Sequence, residues 1–372
     1  MTRGDLADED RDHMRAALAL AARRLGETWP NPAVGCVIVG AEGRVVGRGA
    51  TAPGGRPHAE TAALTMAGGA AHGATVYVTL EPCCHTGQTP PCTEALIAAG
   101  VARVVVALRD PDPRVNGAGI AALRAAGITV AEGILADEAA ALAAGFVSVV
   151  TRGRPLVTLK LATTLDGRIA TRAGESQWIT GEPARRAAHA LRGRHDAVLV
   201  GVGTLLADDP RLTCRLPGYR ARPLVRIVAD SHLRTRMTAS VMASLDLGPV
   251  WFLIHDRTDA ARKRAFADLG ARLFPLPGAE AGIDLAAGLR ALGQAGITRL
   301  LVEGGAQLAA ALLRDNLVDR LAWFHAPSVM GGDGWPAAQG FGIAQLAAMP
   351  RFSRRAVTLL GDDVLSEFER TE

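Results

Sequence analysis

The spacing of apolar residues predicts alternating helices and strands over the first 150 residues. A helix is predicted over 8–25, where apolar side chains recur at helical spacing: Met14, Leu18, Ala21, Leu25. Further helices are predicted at 58–68, from near Pro91, and at 117–126, and strands at 34–39, 45–49, 75–79 and 103–108. This alternation predicts an α/β sandwich with a parallel or mixed sheet.

A second alternating region follows residues Thr151–Pro155, which we interpret as a linker. Its predicted strands are 156–161, 197–200, 224–229, 250–254 and 298–302, and its predicted helices are 183–192, 259–269, 284–295 and 306–314. A chain of 372 residues is long enough for two domains. We therefore expect one α/β domain over 1–150 and another over 151–372.

The amino-acid composition limits the kinds of ligand and the cellular compartment that we expect for this protein. Apolar residues make up 49% of the chain and aromatic residues 4%, and the formal net charge is +4. Because no basic run is interleaved with aromatic residues, we expect a small phosphorylated molecule as partner, with no nucleic acid. The odd count of five cysteines does not suggest disulfides, and neither a signal peptide nor a membrane span is predicted. These features predict a cytoplasmic protein.

The strongest chemical pattern is a histidine and two cysteines around a glutamate. His58, Cys83 and Cys92 offer three ligands that suit zinc with one position open. Glu60 follows the histidine by two residues and is free to move protons. This is the pattern of a zinc deaminase, in which water attacks an amidine-like carbon. A structural zinc site with Cys84 or His85 as fourth ligand, or plain buried cysteines, is the alternative.

Asn31 lies between two prolines just before the first predicted strand. The pattern suits contact with a substrate ring and a turn asparagine equally well.

The second half carries weaker chemical patterns. Gly201-Val202-Gly203 fails as a dinucleotide fingerprint because the third glycine position is Leu206. Glu303-Gly304-Gly305 predicts a strand, a glycine turn and a helix, which suits either a phosphate site or a simple tight turn. Together these features indicate a nucleotide- or phosphate-binding α/β domain.

Charged residues in this half have two interpretations each. Lys160 stands in an apolar strand, where its charge is costly unless it meets an anion or its face is solvated. Asp208 and Asp209 suit either chemistry or a solvated turn with a helix cap. Arg192 and Arg215 suit either a phosphate site or ordinary surface charge.

Longer motifs in both halves resemble the bifunctional deaminase/reductase family of riboflavin biosynthesis. The motifs of the first half are PNPAVGCVIV at 30–39, PHAE at 57–60, VTLEPC at 78–83 and TPPCTEALIAAGV at 89–101. Those of the second half are VTLKLATTLDGRIA at 157–170, ESQWIT at 175–180, LLADDPRLT at 205–213 and VEGG at 302–305. The resemblance covers nearly the whole chain.

The resemblance implies a cytidine-deaminase-like three-layer sandwich with zinc, followed by a dihydrofolate-reductase-like domain. It implies deamination of 2,5-diamino-6-(5-phosphoribosylamino)pyrimidin-4-one. NADPH-dependent reduction of the ribosyl group of 5-amino-6-(5-phosphoribosylamino)uracil to ribityl would follow. It also implies a homo-oligomer. The competing hypotheses are a deaminase whose second half only binds a ligand, and a nucleic-acid base deaminase.

The resemblance also assigns residues in the second half. Lys160 and Asp208 would act near the reacting ribose. NADP contacts would come from Ala162, Trp178, Thr204, Asp208, Ser231, Gly305, Ala306, Gln307, Leu308, Ala309, Ala310 and Ala311. Substrate contacts would come from Ser176, Arg192, Leu212, Arg215 and Glu303. In the first half, Gln88 stands where the family usually has arginine, which predicts weaker deaminase affinity if that arginine touches the substrate phosphate.

Overall fold

A five-stranded sheet with helices on both faces forms the N-terminal part of the chain. The computed structural model describes residues 3–219, 222–279 and 282–371. The strands are β1 (Gly35–Val39), β2 (Val45–Ala50), β3 (Thr75–Val78), β4 (Arg103–Val106) and β5 (Thr129–Glu132), in the order β2-β1-β3-β4-β5. The helices are α1 (Arg3–Ala22), α2 (Ala59–Ala67), α3 (Cys92–Ala98), α4 (Ala118–Ala125) and α5 (Ala136–Arg152).

The side chains of β1 alternate between the two faces of the sheet, which explains why helices pack on both faces and form three layers. Cys36 and Ile38 pack into a core with residues of α2, α3 and α4. Val37 and Val39 point to the opposite face and pack with residues of α1 and α5. Successive side chains of a strand point to opposite faces, so one apolar run supplies two cores. β3, β4 and β5 are parallel, so the residues that follow them gather at one edge.

A nine-stranded sheet forms the second unit. Its strands are β6 (Leu156–Thr163), β8 (Ala197–Gly201), β9 (Val225–Ala229), β10 (Val250–His255), β11 (Arg272–Leu276), β14 (Arg299–Glu303), β15 (Arg320–His325), β17 (Phe352–Leu360) and β18 (Asp363–Arg370). Short pairs β7 (Arg168–Ala170) with β16 (Trp335–Pro336), and β12 (Gly278–Ala279) with β13 (Gly282–Ile283), lie outside it. The helices are α6 (Glu182–Gly193), α7 (Val202–Asp208), α8 (Ala260–Asp268), α9 (Leu285–Gln294) and α10 (Ala306–Arg314).

Parallel strands dominate this sheet, whose order is β11-β10-β9-β8-β14-β6-β15-β18-β17. All neighbours from β11 to β15 are parallel, whereas β18 and β17 are antiparallel additions. The carboxyl ends of β6, β8, β9, β10 and β14 therefore lie at one edge. Ligands of open α/β sheets bind outside that edge.

Several boundaries differ from the sequence predictions. The first helix covers Arg3–Ala22 instead of 8–25. Residues 151 and 152, predicted as linker, complete α5, which ends at Gly153 in the left-handed region. The chain divides into two compact units between Gly153 and Arg154. Among the described helices, none is both long and apolar enough to cross a membrane.

Candidate active sites

His58, Cys83 and Cys92 meet in the first unit. His58 Nδ1 lies 3.7 Å from Cys83 Sγ and 3.4 Å from Cys92 Sγ, and the three ligand atoms lie within 4.8 Å of one another. His58 is the residue before α2, Cys92 is the first residue of α3, and Cys83 lies in the loop after β3. Two sulfurs and an imidazole nitrogen at this separation fit the ligand set of zinc.

Hydrogen bonds already favour a thiolate in this group. The Cys92 side chain and then His58 lower the pKa of Cys83 to about 4, and the backbone N–H of Cys92 donates to Cys83 Sγ at 3.3 Å. Cys84 instead directs its thiol to the backbone oxygen of Arg114 at 3.6 Å. Within the described part of the chain the cluster contains three ligands, which favours a catalytic site over a closed structural one.

Glu60 lies beside this cluster in a cavity of about 410 Å³. It is buried in the first turn of α2, and burial raises its pKa. Asn31 also lines the cavity while its amide donates to the Gly55 oxygen at 2.9 Å. Both interpretations of Asn31 are therefore compatible with its position.

A charged wall of the cavity escaped the sequence analysis. Asp110 and Asp112 follow β4, and burial raises the pKa of Asp110 to about 6. The buried Glu81 carboxylate accepts backbone N–H groups of Asp110, Gly117 and Ile120, which fixes this loop. In the sequence, the Asp-Pro-Asp stretch that closely follows the predicted strand 103–108 could have indicated these two carboxylates.

The second unit brings Arg192, Glu303 and Lys160 together. Arg192 Nε and Nη2 donate to the two Glu303 oxygens at 2.6 and 2.9 Å. Glu303 ends β14 directly opposite Lys160 on β6. Burial opposes ionisation of Glu303, but Arg192 and Lys160 outweigh it and lower its pKa to about 2. Burial lowers the pKa of Lys160, although Glu303 counteracts it. The carboxylate of Glu303 therefore supplies the nearby anion that offsets the cost of a lysine charge in an apolar strand.

His189 joins this group and was missed from the sequence. Arg215 Nε donates to His189 Nε2 at 3.1 Å, and Arg192 Nη1 donates to the Thr213 oxygen at 2.8 Å. Burial, with Arg192 and Arg215 nearby, lowers the pKa of His189 to about 4. The imidazole is therefore neutral near pH 7. His189 lies one helical turn before Arg192 on α6, and that spacing was the available signal.

The glycine turn after β14 fits a phosphate-bearing cofactor. Gly304 and Gly305 have φ of 83° and 84°, and Gly305 immediately precedes α10. A Cβ on Gly305 would lie 3.3 Å from Thr204 Oγ1, so a larger residue at this turn would crowd α7. Free backbone N–H groups at the start of a helix bind phosphate.

Family models match both units. Residues 7–108 match the cytidine and deoxycytidylate deaminase zinc-binding region, and residues 155–366 match the RibD C-terminal domain. The riboflavin biosynthesis protein RibD of Aquifex aeolicus is 41% identical over 97% of this chain and 98% of its own length. The chain belongs to the RibD family. The fold-class prediction is thereby confirmed, with a cytidine-deaminase-like first domain and the reductase domain of RibD second.

Solved structures agree with this assignment. RibD of Acinetobacter baumannii is 37% identical, has a TM-score of 0.88 and covers 98% of this chain and 100% of its own. A Thermotoga maritima structure described as a diaminohydroxyphosphoribosylaminopyrimidine deaminase/5-amino-6-(5-phosphoribosylamino)uracil reductase is 33% identical. Its TM-score is 0.85, and it covers 98% of this chain and 99% of its own.

Membership of the RibD family confirms the predicted activities and cofactors. The chain is a bifunctional deaminase/reductase of riboflavin biosynthesis that uses zinc in the deaminase domain and NADPH in the reductase domain. The ligand set of His58, Cys83 and Cys92 fits the metal, and the turn at Gly304 and Gly305 fits the cofactor.

Other predicted RibD site residues are more dispersed. Asp208 is the last residue of α7, and burial raises its pKa. Trp178 is 65% exposed, with the Arg185 guanidinium 4.9 Å from its ring centre. Ser176 lies in the same loop.

Leu212 is buried in the loop after α7, and Ser231 lies in the loop after β9. The remaining NADP candidates are Ala162 in β6 and Ala306, Gln307, Leu308, Ala309, Ala310 and Ala311 in α10.

Proposed function

We propose that the two units catalyse consecutive steps on one phosphorylated pyrimidine. The first unit, predicted as residues 1–150, deaminates 2,5-diamino-6-(5-phosphoribosylamino)pyrimidin-4-one. The second, predicted as 151–372, reduces the ribosyl group of the resulting 5-amino-6-(5-phosphoribosylamino)uracil to ribityl. The main support is one cavity that holds the three-ligand cluster and the buried Glu60 together.

In the first step His58, Cys83 and Cys92 hold the zinc. When bound, zinc acidifies a water so that it ionises near neutral pH. Glu60 accepts a proton as the water oxygen adds to the ring carbon that bears the amino group. Glu60 then returns the proton to the departing nitrogen, the carbon–nitrogen bond breaks, and ammonia leaves. The burial of Glu60 supports this role because a raised carboxyl pKa makes the carboxylate a stronger base toward the proton of the water.

In the second step bound NADPH would supply the hydride for C1′ of the ribose. As the C1′–O4′ bond breaks, O4′ requires a proton, and Lys160 donates it. The lowered pKa of this lysine supports such a donor role. Asp208, whose pKa is raised by burial, is the second candidate donor. Asn31 is proposed to contact the ring in the first cavity.

Contacts in the reductase are assigned in the same way. The substrate contacts are Ser176, Arg192, Leu212, Arg215 and Glu303. The cofactor contacts are Ala162, Trp178, Thr204, Asp208, Ser231 and the residues from Gly305 to Ala311. The hydrogen-bonded pairs Arg192–Glu303 and Arg215–His189 support a polar substrate site at this edge of the sheet.

Reciprocal variants test this division of labour. Ammonia release and NADPH oxidation are followed together on the diaminopyrimidine substrate, with wild type, Glu60→Gln and Lys160→Met. We expect Glu60→Gln to lose both signals and to regain NADPH oxidation when the deaminated intermediate is supplied. Lys160→Met should release ammonia without oxidising NADPH. Ammonia release by wild type without NADPH oxidation, even with intermediate supplied, contradicts the reductase assignment.

A cytoplasmic location and self-association complete the proposal. The five cysteines, all of which lie in the described residues, form no disulfide, which supports a reducing compartment. The edge strand β17 is exposed along most of its length, including Val357 and Leu359, which supports pairing with a second copy. Fractionation and sedimentation velocity of the full chain test these two points.

A further inference from the structure

Two arginines line the deaminase cavity, and their charges are balanced differently. Arg114 donates from Nε and Nη2 to Asp112 at 2.5–3.1 Å, which neutralises its charge. Arg56 donates from Nε to Gln88 Oε1 at 3.1 Å and from Nη1 to Thr89 Oγ1 at 2.8 Å. Both acceptors are neutral, and among the described residues no carboxylate forms an ion pair with Arg56. Arg56 therefore brings uncompensated positive charge to the cavity.

The guanidinium of Arg56 is also held in place with donors to spare. A guanidinium has five N–H donors, and the bonds to Gln88 and Thr89 use two of them. Nη2 lies near Gly87, where an added Cβ would be in van der Waals contact with it at 3.8 Å. Among the described residues, no acceptor forms a hydrogen bond with Nη2, so its donors are not used by the protein. An immobilised guanidinium with adjacent free donors suits the oxygens of a phosphate.

Arg56 lies close to the residues proposed to carry out the deamination. Arg56 precedes His58 by two residues in the chain. Both side chains and Glu60 line the same cavity. A substrate with its ring at Glu60 and a negatively charged group toward Arg56 would occupy one continuous space.

We propose that Arg56 binds the phosphate of the deaminase substrate and that Gln88 is a positioning residue that orients it. This inference rests on the proposed function for the identity of the substrate. A neutral acceptor at position 88 holds the guanidinium without cancelling its charge. Gln88 thus does not weaken phosphate binding, which revises the expectation drawn from its identity alone.

Kinetics of the full zinc-loaded chain test the role of Arg56. In Arg56→Ala we expect kcat/KM for ammonia release to fall about 10- to 100-fold, mostly through KM, because a charge-assisted contact remote from the reacting carbon is lost. Inhibition of ammonia release by inorganic phosphate should weaken by a similar factor. Arg48→Ala removes an exposed arginine of β2 that does not line the cavity, and it should leave both values unchanged.

Two further variants separate charge from geometry. Gln88→Glu keeps an acceptor for Arg56 but neutralises it, so KM should rise toward that of Arg56→Ala. Arg56→Lys keeps the charge and should retain part of the affinity. Unchanged zinc content, and unchanged NADPH oxidation with supplied intermediate, establish that each variant is folded.

The outcomes distinguish this inference from the proposed function. If wild type releases ammonia and Arg56→Ala keeps its KM and phosphate inhibition, Arg56 does not bind the phosphate. An equal effect in Arg48→Ala assigns the change to net charge and also overturns the inference. If wild type releases no ammonia, the proposed function fails. A 31P NMR titration with inorganic phosphate then still decides whether Arg56→Ala loses a phosphate site.

Discussion

The two candidate sites differ in how their charges are balanced. In the first unit, two sulfurs and an imidazole converge as the ligand set of a metal, so the charge balance of these three groups depends on the bound metal. In the second unit, Arg192 donates to the Glu303 carboxylate and Lys160 stands opposite Glu303 in the sheet, so the site is balanced by its own side chains. The difference predicts that metal removal perturbs one unit and broken ion pairs perturb the other.

The largest expected effect concerns chemistry in the first unit. Glu60→Gln should lower the rate of ammonia release about 10²- to 10⁴-fold because the amide cannot move the proton. NADPH oxidation with supplied intermediate should not change. Stopped-flow measurement of ammonia release checks this, and retention of more than a tenth of the wild-type rate would rule Glu60 out as the proton carrier.

Breaking the ion pair of the second unit should mainly affect stability. Glu303→Leu removes the carboxylate that pairs with the largely buried Arg192 and should lower the free energy of unfolding by about 3 kcal/mol. Adding Arg192→Met should restore much of this loss. Asp12→Asn, which breaks the exposed pair of Asp12 with Arg15, should change it by at most about 0.5 kcal/mol and serves as the control. Urea unfolding measures all three, and equal effects of Glu303→Leu and Asp12→Asn would refute the buried-pair argument.

Zinc removal should perturb the first unit alone. At a zinc concentration about a hundredfold above Kd, binding stabilises the folded state by about 2.7 kcal/mol, which a chelator removes. Hydrogen exchange after chelation should rise in α2 and α3, which carry ligands at or next to their first residues, and should stay constant in β6 and β14. Equal exchange in both regions after chelation would mean that the charge balance does not differ as described.

The glycine turn should show a smaller effect. Gly305→Ala places a Cβ near Thr204 Oγ1 at a φ of 84°, which costs about 1–3 kcal/mol. If this displaces the turn, Kd for NADPH should rise about tenfold. Gly203→Ala is the control, since a Cβ there meets no atom within 4 Å. Fluorescence titration with NADPH measures both, and identical Kd values would exclude the turn from the cofactor site.

The smallest effect concerns pH and His189. Its pKa in the folded state, about 4, is below the usual value of 6.5, so the unfolded state binds the proton more readily. This histidine therefore costs no stability above pH 6.5 and progressively lowers stability as pH falls from 6.5 toward 4. His189→Gln should show a shallower fall of Tm in this window. Parallel Tm profiles for the two proteins would contradict the burial argument.

The sequence predicted the first site more completely than the second. The ligands and Glu60 lie in short motifs, and His58 and Cys92 are only 34 positions apart. Zinc chemistry restricts ligand type and spacing, so those letters indicate a reaction without knowledge of the fold. Arg192 and Glu303 are 111 positions apart, and the residues around Arg192 suit a phosphate site and ordinary surface charge equally well.

The sequence by itself determined the strand and helix alternation, the zinc ligands, Glu60 and the family. These depend on local periodicity and on residue types that few chemistries share. Only the tertiary structure decided that Glu303 stands opposite Lys160, that His189 orients Arg215, and that Arg114 is neutralised whereas Arg56 is not. The physical reason is that the charge state of a side chain depends on the neighbours that strand order and register bring to it.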